Sequence, residues 1–129
     1  MKEIKITIQE AKNIIEVFVG VIIDLLKKYD LVKRAILQSF DFRTLAEAKK
    51  MEPGLRLAAL FENQKDFCEQ AANMSVQFAS PDFSRVSPDR VKLCHDKGIQ
   101  VVPWTVNSHV EWKRLSEMGV DAIITDYPR

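Results

Sequence analysis

The sequence predicts an α/β fold built on a parallel sheet, and three observations indicate it. Short apolar runs alternate with longer amphipathic stretches along the chain. The apolar runs end at turn and helix-breaking residues, as strands do. The 129 residues are 47% hydrophobic and 29% charged, a composition typical of a globular domain with one packed core. We therefore expect strands and helices in alternation within a single unit.

Six strands and five helices are predicted in this alternation. The strands are expected at residues 3–8, 35–40, 55–61, 76–80, 100–106 and 122–125. The first and longest helix includes 14–26, and the later helices are expected at 43–51, 65–73, 88–97 and 108–118. Strands joined by helices run parallel and gather functional groups at their C-terminal ends. An open doubly wound sheet fits this length, whereas a complete eight-stranded barrel needs about 250 residues.

In the first helix, polar positions recur every four residues and form one narrow stripe, which consists of Lys12, Glu16, Gly20, Asp24 and Lys28. The remaining surface is apolar over a wider arc than a surface helix needs. We expect this arc to pack on the sheet and on neighbouring helices; an open partner surface is the alternative. The segment 14–26 is too short to span a bilayer and contains two acidic residues, so a membrane span is not expected.

Later helices carry recognisable start and stop signals. Ser87 and Pro88 suit the N-cap and the first turn of a helix. Gly98 and Gly119 suit the left-handed conformation that ends one.

Charge and cysteine content exclude several classes of function. The chain has 19 basic and 18 acidic side chains and a net charge of +1, so nucleic acid is not the default partner. The N-terminus lacks the basic and apolar regions of a secretory signal, which makes the cytoplasm the expected compartment unless a signal precedes this sequence. Cys68 and Cys94 have neither a CxxC pair nor a histidine at metal-ligand spacing. We expect both to be buried free thiols in a reducing compartment, without zinc.

Polar and aromatic residues concentrate where the predicted strands end. They are Ser39, Phe40, Asp41, Ser80, Asp82, Trp104, Thr105, Asn107, Thr125, Asp126 and Tyr127. In a parallel sheet these side chains converge on one rim, a composition typical of a binding site. The first strand adds Glu3 and Lys5, whose side chains share one face because they are two residues apart.

Four segments resemble the glycerophosphodiester phosphodiesterase family in order and spacing. They are EIK at 3–5, SFD at 39–41, WTVN at 104–107 and GVDAIITDYP at 119–128. The resemblance extends over nearly the whole chain, and the pairing of the last two segments is its most specific part. It implies a partial TIM barrel of about six parallel strands, corresponding to the third strand onward of that fold.

The resemblance also implies metal-assisted hydrolysis of glycerophosphodiesters to glycerol 3-phosphate and an alcohol. The family uses a divalent cation, Ca²⁺ or Mg²⁺, and two histidines as acid and base. Those histidines and a Glu-x-Asp pair of metal ligands lie in N-terminal segments that have no counterpart in this sequence. We therefore interpret residues 1–129 as a C-terminal fragment, assign it no catalytic residue, and expect the isolated chain to be inactive.

Four residues receive roles from the resemblance. Glu3 matches a metal-ligand glutamate, and Lys5 matches a lysine that helps to hold the anionic substrate site together. Phe40 and Trp104 match aromatics that line the apolar side of the glycerol pocket. The alternatives are a solvated N-terminus for the first two residues and core packing for the two rings.

Other strand-end residues have competing interpretations. Asn107 is expected to begin the next helix rather than to bind substrate, although Ser108 is an equally good cap. For Thr105, a helix start and substrate contact both stay open. For Ser39 and Asp41, local structure and substrate contact both stay open.

Asp126 either contacts substrate or orients the last loop. His95 and His109 lie on predicted helices and are expected at the surface, so neither replaces the missing catalytic histidines.

Two functions follow as hypotheses. In the leading hypothesis, the chain is part of a phosphodiesterase that acts on a small-molecule glycerophosphodiester. Its partner would be a second copy of the chain or the missing N-terminal segment. The alternative is a non-catalytic binding or assembly module, in which such a partner covers the open sheet edges. The broad apolar arc of the first helix favours the alternative.

Overall fold

The computed structural model describes residues 8–128, in which helices and strands alternate. The α-helices are α1 (Ile8–Lys28), α2 (Phe42–Met51), α3 (Phe67–Met74), α4 (Pro88–Asp96) and α5 (His109–Glu117). The strands are β1 (Ile36–Ser39), β2 (Arg56–Phe61), β3 (Phe78–Pro81) and β4 (Gln100–Val101), and a 3₁₀ turn (Phe83–Arg85) follows β3. Within this part of the chain, no helix combines the length and apolarity that a membrane span requires.

The four strands form one parallel sheet in the order β1-β2-β3-β4. Ile36 pairs with Arg56, and Phe78 pairs with both Ala58 and Gln100. A helix joins each strand to the next, as the alternation in the sequence predicts. The predicted α/β fold with parallel strands is therefore confirmed, with four strands in the described residues rather than six.

The strand expected at 100–106 is shorter than predicted. β4 covers Gln100–Val101, and beyond it Trp104 forms an isolated parallel bridge with Asp82. The intervening Pro103 has no N–H with which to continue a ladder. The strand expected at 3–8 lies outside the described residues except for Ile8, which begins α1.

The strand expected at 122–125 is wrong, although this segment does run beside β4. Ile124 donates its N–H to the Pro103 carbonyl at 2.9 Å and accepts from the Val106 N–H at 2.8 Å. A regular parallel ladder would place these two partners two residues apart, and here they are three apart. The segment is therefore held against the sheet edge without strand register.

The helix ends predicted from sequence are confirmed. The Ser87 hydroxyl accepts a hydrogen bond from the Arg90 N–H, which makes it the N-cap of α4. Gly98 and Gly119 follow α4 and α5 with φ angles of 76° and 90°, the left-handed conformation that suits glycine.

The helices cover one face of the sheet and bury the main core there. Leu57, Ala59 and Phe61 of β2 lie in this core with Leu45 of α2 and Phe67 of α3. A smaller cluster joins α4 and α5 and consists of Val86, Val91, Val106 and Leu115.

The other face of the sheet lines a cavity of about 340 Å³. Along each strand, the side chains of this face alternate with side chains that point into the main core, as strand geometry requires. They are Ile36, Gln38, Ala58, Phe78, Ser80, Gln100, Val102, Ala122 and Ile124. In a closed barrel this face is the packed interior. Here Ile36 and Ala122 at its margins are exposed, so the face is open at its edges, whereas Ala58 and Phe78 in its middle are buried.

Only part of the apolar arc of α1 packs as expected. Val19 and Ile23 are buried in the main core. The apolar side chains on the outer side of the helix are at least half exposed, and these are Ile14, Val17, Phe18, Val21 and Leu25. The open surface that the sequence left as an alternative is therefore present on this side.

Cys68 and Cys94 are fully buried, as predicted, but they form a disulfide, so the prediction of free thiols is wrong. The bond joins α3 to α4, and the Cα atoms of the two cysteines lie 5.0 Å apart. A separation of 26 residues gives no sequence signal, because the pairing depends on how the two helices pack.

Candidate functional site

Phe40 and Trp104, both predicted to bind substrate, meet at the C-terminal rim of the sheet. Their ring centroids are 5.6 Å apart and their planes are nearly perpendicular, an edge-to-face contact. The Trp104 indole N–H donates to the Ser80 carbonyl at 2.9 Å, which fixes the indole. Phe40 is 51% exposed. Core packing is therefore not the role of Phe40, and its ring is available to a ligand.

Strand periodicity explains why these rings share one side of the sheet. Phe40 lies two residues beyond Gln38, and Trp104 lies two residues beyond Val102. Gln38 and Val102 both line the open face. Side chains two residues apart on an extended chain point the same way, so both rings continue the open face to its rim.

Glu3 and Lys5, the predicted metal ligand and substrate-binding lysine, lie outside the described residues. Their assignments stay predictions. The described part of the rim therefore consists of the ring pair and the polar residues around it.

Asp41 and Ser39 form local structure rather than an open carboxylate site. The Ser39 hydroxyl accepts from the Asp41 N–H at 3.0 Å. The Asp41 carboxylate accepts from the Arg43 N–H at 3.0 Å and caps α2. It also forms an ion pair with the Arg43 guanidinium at 2.7 Å. That side-chain hydrogen bond is the main cause that lowers the pKa of Asp41 below its ordinary value of 3.8, against a smaller opposing effect of burial.

Asn107 does not begin the next helix, contrary to the expectation. Ser108 is the N-cap of α5, with its hydroxyl accepting from the Glu111 N–H at 3.2 Å. Asn107 instead donates to the Asp126 carboxylate at 3.0 Å and accepts from the Thr125 hydroxyl at 3.1 Å. It therefore joins the strand-end segment at 104–107 to the last loop.

Asp126 is hydrogen-bonded to Asn107 and thereby orients the last loop, the second of the two roles that the sequence left open. Its backbone N–H also donates to the Asn107 amide oxygen at 3.0 Å. Asp82 is used locally as well, since its carboxylate accepts from the N–H and the hydroxyl of Ser84. Thus the Asp126 carboxylate accepts from Asn107, and the Asp82 carboxylate accepts from Ser84.

The two histidines are exposed on the surfaces of helices, as predicted. His109 begins α5 and contacts the Trp112 ring at 4.5 Å between centroids. His95 Nε2 lies 2.8 Å from the Asp121 carboxylate, which also accepts from the Val101 N–H. His95 therefore helps to hold the segment after α5 beside β4.

A groove next to Phe40 was not predicted from the sequence. It has a volume of about 410 Å³ and is lined by Phe40, Leu60, Glu62, Asn63 and Gln64. Glu62 lies two residues beyond Leu60, so the same strand periodicity that places Phe40 would have indicated it.

Known proteins are similar to this chain in sequence and in fold. The model of the glycerophosphoryl diester phosphodiesterase family matches residues 1–129. A glycerophosphodiester phosphodiesterase from Caldanaerobacter subterraneus subsp. tengcongensis is 31% identical over 123 residues, which are 92% of this chain and 51% of the relative. The chain thus spans about half the length of this curated relative.

Two solved structures illustrate the similarity in fold. One from Silicibacter pomeroyi DSS-3, whose name places it among the glycerophosphoryl diester phosphodiesterases, is 28% identical with a TM-score of 0.85; the match covers 88% of this chain and 42% of that chain. A glycerophosphodiester phosphodiesterase from Parabacteroides distasonis is 23% identical with a TM-score of 0.82, and the match covers 91% of this chain and 49% of that chain. The second match shows the fold alone.

Proposed function

Because the chain belongs to the glycerophosphoryl diester phosphodiesterase family, we propose that it forms part of a barrel that hydrolyses glycerophosphodiesters to glycerol 3-phosphate and an alcohol. The contact of Phe40 with Trp104 carries this proposal. The two rings lie at the C-terminal end of parallel strands, where the active sites of TIM barrels are found. They offer a fixed apolar surface to the carbon skeleton of glycerol.

In this proposal Lys5 binds the phosphate and Glu3 is one ligand of a Ca²⁺ or Mg²⁺ ion. Within residues 8–128, no group of three or more His, Cys, Asp or Glu side chains converges as a metal site. The described residues alone therefore do not fit such an ion. A bound cation would depend on Glu3 and on oxygen ligands from outside this range.

We further propose that the isolated chain has negligible activity. General acid and base chemistry at the phosphodiester requires titratable groups within hydrogen-bond reach of the reacting oxygens. His95 lies beside Asp121, and His109 lies against Trp112, so both imidazoles already have partners within the described residues.

Hydrolysis of glycerophosphocholine tests the proposal. The full chain is assayed alone and after mixing with an N-terminal segment of a family member that carries the HRG, Glu-x-Asp and HD motifs, with and without Ca²⁺ or Mg²⁺. We expect activity only on mixing. Phe40→Ala should lower that activity, whereas Val110→Ala, a change at a 77% exposed position on α5, should not. Turnover by the chain alone would contradict the proposed inactivity.

A non-catalytic assembly module is the second candidate function. The exposed margins of the cavity-lining face, at Ile36 and Ala122, and the exposed side of α1 favour it, because both leave apolar groups in water. Sedimentation equilibrium of the chain measures its mass in solution. A dimer that stays inactive after mixing would support the module, and a cooperatively folded monomer would count against it.

A further inference from the structure

The groove beside Phe40 combines an aromatic ring with a negative charge. Phe40 belongs both to the ring pair and to the groove, whose volume is about 410 Å³. Leu60 adds an apolar wall, and the side chains of Glu62, Asn63 and Gln64 form the polar side. The groove is therefore contiguous with the surface proposed to bind glycerol.

The Glu62 carboxylate gives the groove its charge. Glu62 is exposed, and within the described residues its carboxylate is part of no ion pair. Its backbone N–H donates to the Gln64 amide oxygen at 3.0 Å, which shapes the turn after β2. No lysine or arginine lines the groove in this part of the chain. A bound cation would thus meet no competing positive charge there.

We propose that this groove is a subsite for the cationic alcohol of the substrate, a choline-like quaternary ammonium. This inference rests on the proposed hydrolysis of glycerophosphodiesters at the same rim. An organic cation gains from the face of an aromatic ring and from a nearby carboxylate, while its methyl groups pack against apolar walls. Phe40, Glu62 and Leu60 supply these three features in one groove.

The position of Phe40 determines how such a substrate lies. Its contact with Trp104 places one end of the groove beside the proposed glycerol surface. The alcohol is the part of a glycerophosphodiester on the far side of phosphorus from glycerol. A substrate bound across the rim would therefore carry its alcohol toward Glu62, where a negatively charged alcohol would be repelled.

Binding to the full chain tests the subsite without requiring turnover. Backbone amide NMR spectra are recorded during titration with choline and with 3,3-dimethylbutan-1-ol, which has the same shape but no charge. We expect choline to shift the signals of Phe40, Glu62 and Asn63 and to bind at least several-fold more tightly than the neutral isostere. Equal binding of the two compounds, or binding of neither, would overturn the proposal.

A matched pair of variants tests the carboxylate itself. Glu62→Gln keeps the shape and removes the charge, and we expect it to weaken choline binding about fivefold. Glu117→Gln removes a charge from the exposed end of α5 and should leave choline binding unchanged. Choline binding that Glu62→Gln does not alter would contradict the proposal. If that variant fails to fold, the comparison of choline with its neutral isostere on the unaltered chain still decides.

The subsite and the proposed function fail in different ways. Selective choline binding together with no hydrolysis of any glycerophosphodiester in the mixed preparation would support the subsite and reject the reaction. Hydrolysis in the mixed preparation at equal rates for choline and inositol diesters, without selective choline binding, would support the reaction and reject the subsite.

Discussion

The Phe40 and Trp104 rings meet edge to face at 5.6 Å, although they follow the first and the last strand of the four-stranded sheet. Two features bring them together. Each ring continues the open face of its strand, and the hydrogen bond from Trp104 to the Ser80 carbonyl directs the indole back across the sheet. The two rings can therefore meet because the four-stranded sheet is curved, as the wall of a barrel is.

Replacing Trp104 by Phe should weaken glycerol 3-phosphate binding and lower stability by about 1 kcal/mol, because the Ser80 carbonyl loses its donor. Trp112→Phe is the matched control, since the Trp112 indole N–H also donates to a carbonyl, that of Val106. Urea unfolding should show similar losses for both variants. Ligand titration should show weaker binding for Trp104→Phe alone, and equal binding by the two variants would argue against a ligand-binding role for Trp104.

Local signals in the sequence account for the elements that were predicted well. Ser87 and Gly98 delimit α4 through contacts within a few residues, so sequence reasoning finds them. Strand alternation likewise places Phe40 and Trp104 on one side. Both kinds of signal depend on residues that are close together along the chain. They can therefore be read from the sequence before the tertiary packing is known.

Features that depend on tertiary contacts were missed. The disulfide requires that α3 and α4 lie side by side, and the groove at Glu62 requires that the turn after β2 lies beside the end of β1. Asn107 looked like a cap because its neighbours are helical, yet its partners are in the last loop. Residue type and spacing do not encode the disulfide or the partners of Asn107, whereas strand periodicity does indicate the side on which Glu62 lies.

The Cys68–Cys94 disulfide should contribute about 3.5 kcal/mol, the value expected for closing a loop of this length in the unfolded chain. We expect the Cys68→Ala/Cys94→Ala double variant to unfold at lower urea concentration than the unaltered chain. Reductant should destabilise the unaltered chain and leave the double variant unchanged.

Thiol titration provides an independent check of this bond. The unreduced chain, denatured in urea, should show no reactive thiol, and reaction of both cysteines would contradict the disulfide.

Asp41 should make stability depend on pH in the acidic range. Because the hydrogen bond from Arg43 lowers its pKa in the folded state, the carboxylate contributes stability above its ordinary value of 3.8. That contribution is lost as pH falls through the lower folded pKa. Asp41→Asn keeps a capping side chain but removes the charge, so its urea midpoint should fall less steeply than that of the unaltered chain between about pH 5 and 2.

Two further variants separate the charge of Asp41 from its capping bond. Asp41→Ala removes both and should cost about 1 kcal/mol even at neutral pH. Asp24→Asn changes an exposed carboxylate on α1 and serves as the control for loss of one negative charge. A pH profile of Asp41→Asn that coincides with that of the unaltered chain would reject the contribution of the Arg43 pair.

A charge at position 107 should affect stability, because the Asn107 amide contacts one acceptor and two donors of the last loop. Its NH₂ group donates to the Asp126 carboxylate, and its oxygen accepts from the Thr125 hydroxyl and the Asp126 N–H. Asn107→Asp keeps the acceptor but replaces the donor with a second carboxylate facing Asp126. Asn107→Ala removes both functions without adding charge. We therefore expect the Asp variant to be the less stable of the two in urea unfolding at pH 7, because it places two carboxylates against each other.

Hydrogen exchange at the Asp126 amide distinguishes this loop function from a general loss of stability. In Asn107→Asp the amide keeps an acceptor oxygen, whereas in Asn107→Ala it loses its partner and should exchange faster by about fivefold or more. The Val106 amide, which donates to Ile124, should respond less because its acceptor is a backbone carbonyl that neither variant alters. Equal acceleration at both amides would mean that Asn107 stabilises the whole C-terminal segment rather than orienting the loop that carries Asp126.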